Sequence, residues 1–99
     1  MIEINSKQRK YLEKLAHDLQ SVVIVGGAGL TDGVLKMTKN SIASHELLKV
    51  KFNEYKDEKV ELTNQICEYC DANLIRIIGN IAILYKPAEK EDDRKIFLD

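Results

Sequence analysis

The chain has 99 residues, of which 44% are hydrophobic and 31% charged, a balance typical of one globular domain rather than of a disordered segment. Its longest apolar runs, Val22–Val25 and Ile81–Tyr85, are too short to span a bilayer, and two cysteines are too few for a disulfide framework. Because Met1–Asn5 has no basic leader followed by an apolar run, we expect a cytoplasmic protein with no membrane partner.

A first helix is predicted over residues 6–20, with Ser6 as its N-cap. One side of this helix is apolar, and its residues are Tyr11, Leu12, Leu15, Ala16 and Leu19. Another side is basic, with residues at helical spacing, namely Lys7, Lys10, Lys14 and His17. The helix is therefore expected to bury one face and to present positive charge on another.

A buried strand is predicted at Val22–Val25, because this β-branched run is bounded by a glycine cluster. Three glycines in four positions make Gly26–Gly29 a loop. Thr31 is then expected to cap a second helix over about 32–44. The inner face of this helix is predicted to comprise Val34, Leu35, Thr38 and Ile42.

The second half of the chain predicts three strands and one helix. Leu47–Asn53 alternates apolar residues with lysines, which indicates a strand with one apolar and one basic face. Asp57–Asp71 is predicted as a helix whose inner residues are Val60, Ile66, Cys67 and Cys70. Two final strands, Leu74–Ile78 and Ile81–Lys86, are joined by the hairpin signal Gly79-Asn80 and ended by Pro87.

The element order α-β-α-β-α-β-β predicts an α/β fold with a mixed four-stranded sheet. With a two-residue turn, one face of the final hairpin would hold Ile75, Ile77, Ala82 and Leu84. The other would hold Leu74, Ile78, Ile81 and Ile83. Both faces are apolar, so we expect helices against both. Residues 1–87 are predicted to form the domain, and 88–99 a charged tail that is mobile up to Ile96–Leu98, where it could dock.

The loop Gly26–Gly29 is the principal candidate site. Glycines allow backbone N–H groups to approach a ligand, and the helix that follows directs its positive end at a bound anion. The spacing matches neither the dinucleotide fingerprint nor the P-loop, but G-x-x-G is the spacing with which KH-type proteins clamp an RNA backbone. On the motif alone, a loop without a ligand is an equal alternative, and Asp32 would repel a nearby phosphate.

The charge distribution favours phosphate as the ligand. The net charge of −1 argues against a protein that coats nucleic acid by bulk charge. However, residues 1–51 carry eight Lys/Arg and five Asp/Glu, a net +3, whereas residues 52–99 carry seven and eleven, a net −4. Any single lysine is more simply a solvated charge. The set of lysines in the half of the chain that carries the loop favours phosphate contacts without base reading, and it comprises Lys7, Lys10, Lys14, Lys36, Lys39, Lys49 and Lys51.

Four segments in chain order resemble the YhbY/CRM (chloroplast RNA splicing and ribosome maturation) domain family, over about residues 6–87. They are Ser6–Arg9 with Leu15–His17, Val25–Val34, His45–Phe52, and Ile77–Asn80 with Leu84–Pro87. The resemblance implies a compact domain similar to the C-terminal domain of translation initiation factor three. It also implies RNA binding without catalysis, with the large ribosomal subunit precursor and its ribosomal RNA as the partner in bacteria.

The resemblance also implies which residues contact RNA. Gly26 and Gly29 would clamp the backbone, with Gly27 and Ala28 between them. The supporting basic surface would comprise Lys7, Arg9, Lys10, Lys14, Lys49 and Lys51, to which the charge pattern adds Lys36. Two departures, Gly-Ala in the middle of the loop and Gln20-Ser21 where many members read Lys-Pro, remove charge or hydrogen-bonding capacity. They predict weaker RNA affinity or help from a protein partner.

Other motifs predict little chemistry. Cys67 and Cys70 form a C-x-x-C near a helix C-terminus, where the thiolate is not favoured, and a zinc site would need two more ligands. We therefore expect two buried cysteines and no metal. No Ser/His/Asp arrangement is visible and the acidic residues show no sign of pairing in a cleft, so we also expect a non-enzymatic protein without cofactor or small-molecule substrate, and we expect it to be a monomer. Two alternatives stay open. One is a protein–protein adaptor on the pre-ribosome, suggested by the acidic tail, and the other is a small nucleotide-binding enzyme, which the glycine spacing disfavours.

Overall fold

The computed structural model describes residues 1–98. Within them lie three α-helices and four strands in the predicted order, which confirms the α/β class. Short 3-10 turns precede the third helix and follow the last strand, at Lys56–Glu58 and Glu91–Asp93. The helices and strands are α1 Ser6–Ala16, β1 Ser21–Val25, α2 Asp32–His45, β2 Leu47–Phe52, α3 Lys59–Cys70, β3 Asn73–Ile78 and β4 Ile81–Tyr85.

Side-chain caps mark the starts of α1 and α2. The N-cap of α1 is Asn5, so the assignment to Ser6 was wrong. The Asn5 side chain accepts from the Gln8 N–H at 2.8 Å, and the Gln8 side chain accepts from the Asn5 N–H at 3.1 Å, which is a reciprocal capping box. Thr31 caps α2 as predicted, because its Oγ1 accepts the Val34 N–H at 3.1 Å. At its other end α1 stops at Ala16, four residues short of the predicted end.

The sheet is mixed, as predicted, with the strand order β1-β2-β4-β3. β1 pairs with β2 in parallel, whereas β4 is antiparallel to both β2 and β3. The last strand of the sequence therefore lies inside the sheet, and β1 and β3 are its edges. α2 and α3 cover one face, which we call the closed face, and α1 packs on the other, which we call the half-open face.

The closed face carries the larger core. Its helices bury Thr38 and Ile42 from α2 and a stripe from α3 that includes Ile66, Cys67 and Cys70. Val60 was predicted to join this stripe but is 55% exposed, because it lies at the margin of the stripe in the first turn of α3. The buried residues of this core are Val23, Val25, Ile42, Leu48, Val50, Phe52, Ile66, Cys67, Cys70, Ala72, Ala82 and Leu84.

The half-open face is only partly covered. A smaller core lies beneath α1 and comprises Leu12, Ala16, Leu47, Ile75, Ile83 and Tyr85. Because α1 packs on β2, β3 and β4, the edge strand keeps Val22 43% and Ile24 51% exposed. The prediction that β1 is buried throughout was therefore wrong: Val23 and Val25 are buried and their neighbours are not. Three residues of the predicted apolar side of the first helix also remain substantially exposed, namely Tyr11 and Leu15 on α1 and Leu19 beyond its end.

A β-bulge in β3 changes which residues share a face. The ladder with β4 shifts between Leu74 and Arg76. As a result Leu74 packs on the closed face, and Ile75 packs beside Ile83 on the half-open face. The predicted positions of these two residues were exchanged, because strict alternation holds only while the register is unbroken.

Glu46 ties the C-terminal segment to the domain. This residue follows α2 with a positive φ of 65° and is 1% exposed. Its carboxylate accepts the backbone N–H groups of Ala88 at 2.9 Å, Lys95 at 2.6 Å and Ile96 at 3.2 Å. Ile96 and Leu98 then pack against the half-open core, as the docking prediction proposed. The ties at Ala88 and Lys95 were not foreseen.

Candidate functional site

The glycine loop is a tight turn between β1 and α2. The Gly29 N–H donates to the Gly26 carbonyl at 3.0 Å, and the Thr31 N–H donates to the Gly29 carbonyl at 3.1 Å. Within residues 1–98, the N–H groups of Gly27 and Ala28 donate no hydrogen bond. The loop therefore presents two exposed backbone donors beside the N-terminus of α2, where further N–H groups are free by the geometry of a helix.

The glycines of the loop differ in what the fold asks of them. Gly29 has a φ of +73°, a conformation that other residues rarely adopt, and a Cβ there would lie 3.5 Å from the Tyr55 ring. Gly26 and Gly27 lie outside that left-handed region, and a Cβ on either would meet nothing within 4 Å. Among the three glycines of the loop, the fold therefore requires glycine only at position 29. At positions 26 and 27 the absence of a side chain leaves the backbone bare toward solvent.

Tyr55 braces the loop, and sequence reasoning missed it. Its hydroxyl donates to the Gly27 carbonyl at 2.9 Å, and its ring lies against Gly29. The residue has a φ of 56°, which costs roughly 1 kcal/mol for an L-residue, yet its side chain is still 43% exposed. The available signal was a lone aromatic residue in the polar segment that follows β2.

A polar recess opens beside the loop on the Tyr55 side. Its volume is about 760 Å³, and its lining residues are Gly27, Asn53, Glu54, Tyr55, Lys56, Asp57 and Glu58. The Asn53 and Glu54 N–H groups both donate to the Val25 carbonyl, at 3.0 and 3.3 Å, so this segment is fixed to the end of β1. Three carboxylates against one ammonium make the recess unfavourable for phosphate.

Two of the predicted lysines lie near the loop. Lys51 is exposed on the half-open face and is paired with Ile24, two residues before the loop begins. Lys36 is exposed one turn into α2, the helix that the loop starts. The two lysines therefore flank the loop from different elements, Lys51 on the half-open face and Lys36 on the helix that covers the closed face.

Lys7, Lys10 and Lys14 lie at the opposite end of the strands. All three are exposed on α1, on the side of the helix away from its buried residues Leu12 and Ala16. α1 packs over the beginning of β2, whereas the loop is next to its end, roughly 17 Å away along a six-residue strand. The structure therefore divides the predicted basic set between two separate places.

Arg9 and Lys49, also predicted to contact RNA, have partners inside the protein. The Arg9 guanidinium donates to the Leu74 carbonyl at 3.0 Å and to that of Ile75, at the bulge in β3. The Lys49 ammonium donates to the carbonyls of His17 and Leu19, at 3.3 and 3.0 Å, just beyond the end of α1. Both side chains thus hold α1 on the sheet.

The C-x-x-C pair belongs to the core. Both cysteines are unpaired and buried, as predicted. Burial, assisted by Cys70, raises the pKa of Cys67 to about 11, so this thiol is protonated at neutral pH. Within the described residues, no cluster of His, Cys, Asp and Glu could hold a metal ion. Over the same part of the chain, none of the helices has the length and apolar character of a membrane span.

Comparison with known proteins agrees with this architecture. A Haemophilus influenzae protein named RNA-binding protein is 40% identical, covering 91% of this chain and 92% of the relative. A probable RNA-binding protein of Pseudomonas aeruginosa is 32% identical, covering 88% and 85%. The solution structure of a hypothetical Staphylococcus aureus protein, described there as an RNA-binding candidate, superposes with a TM-score of 0.76 at 25% identity, over 95% of this chain and 99% of the other.

The match extends to a defined domain family. The CRS1/YhbY (CRM) domain matches residues 4–86, which include every helix and strand described above. The resemblance seen in the four sequence segments is thereby confirmed, with the glycine loop inside the matched region. The chain belongs to the CRS1/YhbY (CRM) domain family.

Proposed function

We propose that this domain binds large-subunit ribosomal RNA or its precursor through the loop Gly26–Gly29, and that it assists ribosome assembly without catalysing a reaction. The observation that carries the proposal is that Gly26 and Gly27 are glycines the fold does not require, next to free backbone donors. A bare backbone of this kind suits the close approach of a phosphate. The relatives named as RNA-binding proteins support RNA as the class of partner.

In this proposal the two basic places contact different stretches of RNA. At the loop, the N–H groups of Gly27 and Ala28 hold a phosphate, and Lys51 and Lys36 neutralise its neighbours. The exposed lysines of α1 contact a second stretch of backbone. Amides and lysines bind phosphate and do not transfer protons to it at neutral pH, so the proposal includes no chemical step. It does include a cytoplasmic location, where bacterial pre-ribosomes form, and a monomeric protein.

The loop can be tested by blocking it with charge. We expect the double variant Gly26→Glu/Gly27→Glu to bind deproteinised large-subunit RNA at least about a hundredfold more weakly than the wild type, because two carboxylates would occupy the phosphate position. Thermal unfolding should be nearly unchanged, since both new side chains point into open space. The wild type should lose affinity log-linearly as salt is raised.

A matched control adds the same charge elsewhere. Asn64 and Gln65 are exposed on α3, and Asn64→Glu/Gln65→Glu adds two carboxylates with little change in shape. This variant should bind RNA nearly as the wild type does. Undiminished binding by a folded loop variant would defeat the clamp. If the wild type fails to bind deproteinised RNA even at low salt, the adaptor alternative is favoured instead, with exposed acidic residues at Glu91–Asp93 as its candidate surface.

A further inference from the structure

Tyr55 stands where its residue type is unfavourable. Its φ of 56° lies in the left-handed region, which glycine and asparagine adopt more readily than tyrosine. Strained residues of this kind persist only where their surroundings fix them, and they cluster at ligand sites. The hydrogen bond to Gly27 and the contact with Gly29 fix this one. The remaining question is what the exposed part of the ring contributes.

The surroundings of the ring select against phosphate and in favour of an uncharged ligand. Glu54, Asp57 and Glu58 line the same recess as the ring and would repel a phosphate. Carboxylates and the Asn53 amide oxygen can accept hydrogen bonds from amino groups, which nucleobases carry on their edges. A flat aromatic surface beside such acceptors fits a base, while the free N–H groups of Gly27 and Ala28 fit the adjoining phosphate.

We propose that this recess holds one unpaired base of the RNA, stacked on the Tyr55 ring, while Gly26–Gly29 holds the adjoining phosphate. The inference rests on the proposed function and deepens it: the domain prefers single-stranded segments. A base inside a duplex is already stacked and cannot enter the recess without being extruded. In this arrangement the base lies beside Glu54, and its phosphate lies at the free N–H groups of the loop.

A purely bracing role for Tyr55 makes a different prediction. If the ring only shapes the loop, its removal weakens the binding of every RNA equally, since the phosphate clamp itself is disturbed. If the ring also stacks on a base, its removal weakens the binding of single strands more than the binding of duplexes. The number of phosphates engaged, measured from the salt dependence, should then stay the same.

The experiment measures the affinity of the wild type and three variants for two probes. One probe is single-stranded oligoadenylate, and the other is the duplex that oligoadenylate forms with oligouridylate. Tyr55→Asn removes the ring and tolerates the left-handed backbone, so it should fold, which thermal unfolding will check. Tyr55→Phe keeps the ring and loses the hydroxyl bond to Gly27. Tyr69→Gln is the matched control, because Tyr69 is 42% exposed on α3, away from the loop.

We expect the wild type to bind the single strand about tenfold more tightly than the duplex, and Tyr55→Asn to lose about that factor more for the single strand than for the duplex. Tyr55→Phe and Tyr69→Gln should each keep the preference. Equal binding of both probes by the wild type, or an equal loss for both in Tyr55→Asn, would overturn the base recess. If the wild type binds neither these probes nor ribosomal RNA, the proposed function is wrong, and so is the proposal that the recess holds a base.

Discussion

Backbone N–H groups lie together near both ends of β2, but they are hydrogen-bonded at one end and, in the part of the chain that the structure describes, free at the other. At its beginning, the buried Glu46 carboxylate accepts three of them, from Ala88, Lys95 and Ile96. Beside its end, within the described residues, the N–H groups of Gly27 and Ala28 donate to nothing. Backbone N–H groups therefore lie together at both ends of β2. At one end a carboxylate of the chain itself accepts from them, and at the other end no described group does.

The difference shows how one interaction serves folding or binding. An anion among amide donors forms strong, charge-assisted hydrogen bonds. When the chain supplies the anion and buries it, as at Glu46, the bonds hold a segment in place. When the donors are exposed and no described group accepts from them, as at Gly27 and Ala28, they are available to a phosphate from outside. Three measurements test this contrast, and the first should show the greatest change in stability.

Removing the internal anion should be the most damaging change. We expect Glu46→Ala to lower the free energy of unfolding by about 3 kcal/mol or more, because three N–H groups that are buried or partly buried lose their acceptor. Denaturant unfolding measures this loss. Glu89→Ala is the control, since the Glu89 side chain is 89% exposed and should matter little. A Glu46→Ala loss no larger than that of the control would contradict the role assigned to the carboxylate.

At the loop, two single substitutions should separate folding from binding. Gly29→Ala should lower the free energy of unfolding by about 1 kcal/mol, because alanine is strained at a φ of +73°. Gly27→Ala should leave it unchanged or slightly higher, since its Cβ meets open space. Thermal unfolding of the pair gives the comparison directly. Equal losses would mean that glycine is structurally needed at both positions.

The smallest effect concerns the core between the two ends. The pKa of Cys67 is raised from its ordinary 9.0 to about 11, first by burial and then by Cys70. Folding thus favours the protonated thiol, and this contribution to stability is complete below pH 9 and lost as pH rises through 11. We expect Cys67 in the folded protein to be alkylated more slowly than in the unfolded chain between pH 9 and 11, because its thiolate is disfavoured there and its side chain is buried. Mass spectrometry of the alkylated protein resolves the site, and equal rates in the folded and unfolded chains would mean that the core opens.

Sequence reasoning reached the order and type of the elements because each carries a local signal. Thr31 before a helical period, and the dipeptide Gly79-Asn80 between apolar runs, are readable without tertiary structure. Sequence reasoning was wrong where the position of a residue depends on a competing neighbour or on a distant part of the chain. Asn5 rather than Ser6 caps α1 because Gln8 completes a reciprocal pair. The sheet faces on which Leu74 and Ile75 lie depend on a β-bulge, and no residue type in the sequence indicates that bulge.

The candidate site was only partly predictable for the same reason. The glycine spacing and the lysines are visible in the sequence, and the structure places Lys51 near the loop. Whether a cation is free or engaged depends on what lies opposite, and the carbonyls that Arg9 and Lys49 contact come from other elements. Tyr55 belongs to the site only through a tertiary contact, because the fold brings its hydroxyl to the Gly27 carbonyl, 28 residues away in sequence.

The interior position of β4 has a consequence for synthesis of the chain. β1, α2 and β2 are contiguous, so they can associate as soon as residue 52 has been made. β3 has no partner until β4 follows it, and β2 keeps an unpaired edge until then. The Glu46 carboxylate must wait longer still, for Lys95 and Ile96. A nascent chain therefore carries its glycine loop well before it can close its sheet, and the domain becomes fully cooperative only when its last residues leave the ribosome.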